Sequence, residues 1–263
     1  MKPLYQALAA GMAIAALHAL VLSNGWTLWD VSIVSISSLS AGIFFVLSMI
    51  FTSTVQDYKQ ANIHIASLRG RLLWLNDMNM VASETDSAYD SSSLRRALHR
   101  TAEHLRGYVE NKTTLKEANT AVTDMLEASR NLRAALPTSQ IIIVNQYHDI
   151  RQSLSYLAYL KHHNFPAVGY VFLAFFMTFV IGLQLFSATQ NALLDILFIF
   201  SLTAIMVFFI AFIHDLDHPF RTELACFTLD TRPLKYVESV LGQQTYSAST
   251  AIRTEENADL VSV

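Results

Sequence analysis

The chain is short of charge, cysteine and catalytic motifs, and each shortage closes off a class of protein. Charged residues make up only 15% of its 263 residues, against about 25% in a soluble globular domain. That points away from a soluble protein. The single cysteine, Cys226, excludes an intramolecular disulfide and gives no metal-site spacing. A formal net charge of -3 with no basic stripe carries no nucleic-acid signature. No Ser-His-Asp spacing, phosphate loop or His-Glu-x-x-His pattern occurs, so an enzyme is not expected, and no cofactor is implied.

What the chain does have is apolar length: 52% hydrophobic residues and a mean hydropathy of +0.34. Four runs reach bilayer length, which takes about 20 apolar residues: Leu4 to Leu22, Val31 to Phe51, Pro166 to Phe186 and Leu193 to Ile213. The first could be a signal peptide with Lys2 as its charged start. Its length, and the second run close behind, favour a retained helix. Ala7, Gly11, Ala15 and Ala19 recur every fourth residue, a ridge that lets another helix come close. His18 lies near the end of this run, where a solvated or backbone-bonded role is expected.

The second run is the organising stretch. It has no charged residue and passes without a Gly or Pro break into Thr52-Ser-Thr-Val-Gln-Asp-Tyr-Lys-Gln-Ala. A membrane helix therefore continues as a helix outside the membrane. Ser32, Ser35, Ser37, Ser38, Ser40 and Ser48 make the apolar half rich in hydroxyls. Ser35, Ser38 and Gly42 share one helical stripe, and Ser37, Ser40, Phe44 and Ser48 another. Hydroxyls in lipid must bond a backbone carbonyl, a neighbouring helix or water. The stripes are either a packing surface or the lining of a water-filled path.

Between the second and third runs lies a helical bundle. Tyr58, Ile65, Leu68, Leu72 and Leu75 continue the second helix, and residues 76–93 lose the pattern. Leu94, Leu98, Leu105 and Tyr108 mark a second bundle helix. Leu115, Val122, Met125, Leu132 and Leu136 mark a third, stopped by Pro137. Ile143, Tyr147, Ile150, Leu154 and Leu157 mark a fourth, with Thr138 or Ser139 as its cap. Narrow stripes of this kind suit helices packed side by side.

The predicted fold is an all-α membrane protein with four transmembrane helices and a cytosolic helical bundle inserted between spans two and three. Residues 1–52 hold spans one and two, 53–165 the bundle, and 166–213 the hairpin of spans three and four. Residues 214–241 form a Pro-Phe turn and a terminal cytosolic helix capped by Asp230 or Thr231, and 242–263 a disordered tail. Lys and Arg are missing from residues 23–30 and 187–192 but flank the other span ends. The positive-inside rule then puts both termini and the bundle in the cytoplasm of a plasma or inner membrane. The Asn111-Lys-Thr sequon falls on the wrong side for glycosylation.

The fourth span ends in Phe212-Ile-His-Asp-Leu-Asp-His-Pro-Phe-Arg. His214 and His218, four apart and flanked by acids, are weak metal candidates. A helix stop with a Pro-Phe turn is the simpler reading.

Three stretches resemble the bestrophin-like domain family of four-span membrane proteins. They are Tyr58 to Leu75, Leu154 to Leu185 with its Asn164-Phe165-Pro166 break, and Leu216-Asp217-His218-Pro219-Phe220. The motif residues are Asp217, Pro219 and Phe220. The family usually has a Gly soon after Pro-Phe, where Arg221-Thr222 stands here. Bestrophins carry an acidic calcium clasp after this motif. Here Arg221-Thr-Glu-Leu-Ala-Cys-Phe follows, so calcium binding does not carry over. The resemblance implies a pentameric anion channel with the second helix lining the pore. Its lining would come from Ser35, Ser37, Ser38, Ser40 and Ser48, and its apolar neck from Phe44 or Phe45. Partners are then the lipid bilayer and further copies of the chain. The alternative is a non-conducting membrane-anchored sensor whose bundle binds a cytosolic protein. Oligomeric state separates the two.

Overall fold

A computed structural model describes residues 2–27, 33–162, 166–188, 191–220 and 228–243. Its regular elements are helices: α1 (Lys2–Ser23), α2 (Ile33–Thr85), α3 (Ser91–Val109), α4 (Leu115–Ala128), α5 (Arg130–Ala135), α6 (Gln140–His162), α7 (Ala167–Leu185) and α8 (Ala192–Asp217). A 3-10 turn, Pro137–Ser139, precedes α6, and residues 232–243 form a last helix, α9. Four of the helices are long and apolar enough to cross a membrane, by length and composition. They are α1, α2, α7 and α8.

The chain divides into two compact units. The first holds Met1–Tyr58, His163–Pro219 and Glu223–Thr228, and so contains α1, the apolar part of α2, α7 and α8. Its core is Ile43 and Leu47 of α2, Leu173 and Val180 of α7, and Leu202, Met206 and Ile213 of α8. Phe51 packs edge-on to Phe209 with ring centroids 5.7 Å apart. In lipid, apolar burial does not drive helices together, so close packing must. The small ridge of α1 provides it. Ala7, Gly11 and Ala15 are buried, and a Cβ on Gly11 would lie 3.0 Å from the Phe200 carbonyl oxygen and 3.2 Å from Ala204 Cβ. His18 is fully buried, and its Nδ1 lies 2.9 Å from the Leu185 carbonyl oxygen. It is backbone-bonded, as expected, but not solvated.

The second unit holds Lys59–His162, Phe220–Thr222 and Leu229–Val263. Its core follows the expected stripes: Ile65, Leu68, Leu72 and Leu75 of α2, Leu94, Leu98 and Leu105 of α3, Val122 and Met125 of α4, and Ile143, Ile150, Leu154 and Leu157 of α6. Each such side chain stabilises the unit by about 1.5–3 kcal/mol. Asp90 caps α3 by accepting from Ser92 N–H at 2.9 Å. Thr114 and Glu117 close a capping box on α4. Arg71 is fixed on α6 by Asp149 and by Gln146 at 3.0 Å.

Two local expectations are corrected. α2 does not lose its pattern after Leu75 but runs on to Thr85. Asn76 and Asn79 look like loop residues, yet both are buried. Asn79 donates to the Ser91 carbonyl at 2.9 Å and accepts from Tyr89 Oη at 2.6 Å, so its polarity is satisfied inside the unit. The predicted third bundle helix breaks at Ser129, giving α4 and α5, while Leu132 stays buried. α6 starts at Gln140, directly after Ser139, one of the two expected cap positions, with a 3-10 turn leading into it. At α9, Asp230 Oδ1 accepts from Arg232 N–H at 3.0 Å, the capping role expected of it. Residues 221–227 of the predicted turn region and the predicted disordered tail from 244 on lie outside the described residues.

Candidate functional site: the α2 face and the Pro-Phe turn

The hydroxyls of α2 do not share one environment. Ile43 and Leu47 point into the first unit's core, and Ser40 lies beside them at 5% exposure. Phe44 is half-buried against that core. Phe45 is turned away from it, 67% exposed. Ala41, Phe45, Ser48 and Thr52 are all exposed. They stand at i, i+4, i+7 and i+11, which is one helical stripe. Thr52 Oγ1 donates back to the Ser48 carbonyl at 2.8 Å. Ser38 lies elsewhere, lining an apolar groove of about 350 Å³ with Gly42, Val46, Phe172 and Phe176. Ser32 lies outside the described residues, and so do the side chains of Ser35 and Ser37. Sequence reasoning omitted Thr52 because it stands just past the apolar run. Its spacing of four from Ser48 was the available signal.

The Pro-Phe motif is anchored residue by residue. In the first unit, Asp217 accepts from Tyr170 Oη at 3.0 Å. His218 Nδ1 lies 3.0 Å from the His214 carbonyl oxygen, and the two imidazole rings pack with centroids 4.7 Å apart. Among the described residues, no group of three or more His, Cys, Asp or Glu side chains converges on a metal position.

Phe220 belongs to the second unit and is 7% exposed. Its carbonyl accepts from the Asn111 side-chain amide. Lys161 Nζ lies 4.1 Å from the Tyr108 ring centroid and 5.6 Å from that of Phe220, and donates to the Tyr108 carbonyl at 2.9 Å. Burial holds the Lys161 ammonium below the usual lysine value and pushes the Tyr108 phenol up. Asn111 follows the C-cap of α3 with φ at 60°, a left-handed conformation that Asn tolerates better than most residues. The sequon asparagine is thus a structural clamp on the motif phenylalanine. Sequence reasoning missed Asn111 and Lys161 because both are more than fifty residues from Phe220.

Four apolar helices with a helical insert define a multi-pass helical membrane protein. No protein-family model matches the chain, and no curated protein matches it in sequence. Solved structures do. A bacterial bestrophin homologue from Klebsiella pneumoniae is similar over 93% of this chain and 97% of its own, with a TM-score of 0.70 and 12% identity. Two single-substitution variants from the same organism give TM-scores of 0.71 and 0.75, each at 12% identity and over 93% of this chain, and over 98% and 97% of theirs. The chain has a bestrophin-like fold.

Proposed function

We propose that this protein is an oligomeric anion-conducting channel whose pore is lined by the α2 stripe Ala41, Phe45, Ser48 and Thr52. The observation that carries this reading is the exposed Phe45 ring on a stripe otherwise made of small and hydroxylated side chains. One helix cannot enclose a pore, so several copies must each contribute α2. The Ser48 hydroxyl replaces part of an anion's hydration shell, and the Phe45 rings form a constriction that excludes water when closed. The stripe carries no acid, which would favour cations. The bestrophin-like fold supports the same reading, and a pentamer is the expected assembly. Phe44, half-buried in the core of its own chain, serves packing instead.

The test pairs mass with flux. Native mass spectrometry of the detergent-solubilised particle is expected to give a pentamer. Chloride efflux from proteoliposomes is expected to exceed that from empty vesicles. A monomer or dimer in several mild detergents, with no efflux, refutes the channel.

A further inference from the structure

The second unit carries a charged cleft that takes no part in the α2 stripe or the Pro-Phe clamp. It lies between α3 and α4 and encloses about 230 Å³. Its walls are Ser93, Arg96 and Arg100 on α3 and Asp124 on α4, over a floor of Ala97, Ala121 and Ala128. The two helices come close beneath it, where Thr101 Oγ1 donates to the Ala121 carbonyl at 3.0 Å. Small alanines permit that approach and leave space between the charged side chains.

The charges in the cleft do not satisfy one another. Among the described residues, Arg100 and Asp124 make no hydrogen bond or ion pair, with each other or with any other group. Arg96 makes one long bond, Nε to the Ser92 carbonyl at 3.4 Å, and, behind the hydrogen bonds from Ser92, its charge helps hold the Asp90 carboxyl below the usual value without a direct ion pair. Arg96 and Arg100 stand four apart on one helix face, so two planar donor forks border the same space, suited to a carboxylate. Ser93 is the third residue of α3, within the turn whose backbone N–H groups favour a negative charge. Asp124, on the opposite wall, repels a simple anion and accepts from an ammonium.

We propose that this cleft binds a small zwitterion of the amino-acid class. The carboxylate lies between Arg96 and Arg100, the ammonium against Asp124, and an apolar side chain over the alanines. Asp124 is the residue that separates an amino acid from a plain carboxylate.

The experiment titrates the full-length protein in detergent with L-alanine and L-valine, and with their deaminated analogues propionate and 3-methylbutanoate, by isothermal calorimetry. The amino acids are expected to bind more tightly than the analogues. Losing a charge-assisted contact costs roughly tenfold in affinity, so Arg100→Gln and Asp124→Asn should each weaken amino-acid binding by about that factor. Asp124→Asn should at the same time leave carboxylate binding unchanged or strengthen it. Both residues are exposed, and unchanged melting temperatures check that the variants fold. Failure of both amino acids to bind overturns the proposal. So does equal affinity for amino acid and analogue, or amino-acid binding that neither substitution alters.

Discussion

The side-chain amide of Asn111 donates to the backbone carbonyl of Phe220, tying the turn after α3 to the Pro-Phe motif 109 residues later. Two demands meet at Asn111: a left-handed backbone and a side-chain donor. Substitutions separate them. Asn111→Gly keeps the conformation and loses the bond, costing about 1 kcal/mol. Asn111→Ala also forces a Cβ into the left-handed region, for a further 1–2 kcal/mol or so. Thermal melting should rank wild type above Asn111→Gly above Asn111→Ala, and identical melting of all three would sink the clamp.

The turn beside Asn111 is also an electrostatic hub. Glu110 accepts from Lys112 Nζ at 2.6 Å, from an Arg106 guanidinium nitrogen at 3.2 Å and from Thr231 Oγ1 at 3.2 Å. Burial raises the Glu110 carboxyl, but the Lys112 bond, the Arg106 charge and the Thr231 bond outweigh it, so it lies below the ordinary value of 4.5. A depressed carboxyl stabilises the fold fully above its unfolded value and progressively less as pH falls through its folded value. Acid unfolding should therefore begin below about pH 4.5, and Glu110→Gln should flatten the pH dependence in that window. An unchanged acid limb in Glu110→Gln would assign the loss to other carboxylates.

Two glycines should respond to the same substitution with opposite signs. At Gly11 a new Cβ meets the Phe200 carbonyl oxygen and Ala204, whereas at Gly70 it meets nothing within 4 Å. Gly70→Ala should stabilise α2 by about 0.5–1 kcal/mol through reduced chain entropy. Gly11→Ala must push α1 away from α8 and should lower the melting temperature in detergent. If both substitutions stabilise, α1 and α8 do not pack as described.

Much of this was legible in the sequence because periodicity reports burial directly. The stripes Ile65-Leu68-Leu72-Leu75 and Leu94-Leu98-Leu105 are core because leucines at helical spacing have nowhere else to go. Spans and hairpin followed from run length, and the bestrophin-like fold from Asp217-His218-Pro219-Phe220 with its flanking stretches. The end of α2 is hard to read because Asn76 and Asn79 look like loop residues, and the partners that let Asn79 be buried, Ser91 and Tyr89, lie past the helix end. The facing of α2 was illegible for a related reason. Serines and phenylalanines alternate around the whole apolar helix, so only the packing of Ile43 and Leu47 against α7 and α8 separates Phe44 from Phe45.

That separation predicts different fates for neighbouring rings. Phe44→Ala removes a ring packed on the first unit's core and should cost about 1–3 kcal/mol, less than the 3–5 kcal/mol or so of a fully buried phenylalanine. Phe45→Ala removes an exposed ring and should leave detergent melting unchanged. Equal losses in melting temperature would mean that Phe45 also serves packing.

Anion conductance of the purified protein in planar bilayers, wild type against Phe45→Ala, tests the proposed pore. Wild type should show small, chloride-selective currents, and Phe45→Ala severalfold larger ones as the constriction loses its rings. Silent bilayers for both proteins, or currents that Phe45→Ala leaves unchanged, would contradict a pore lined by this face of α2.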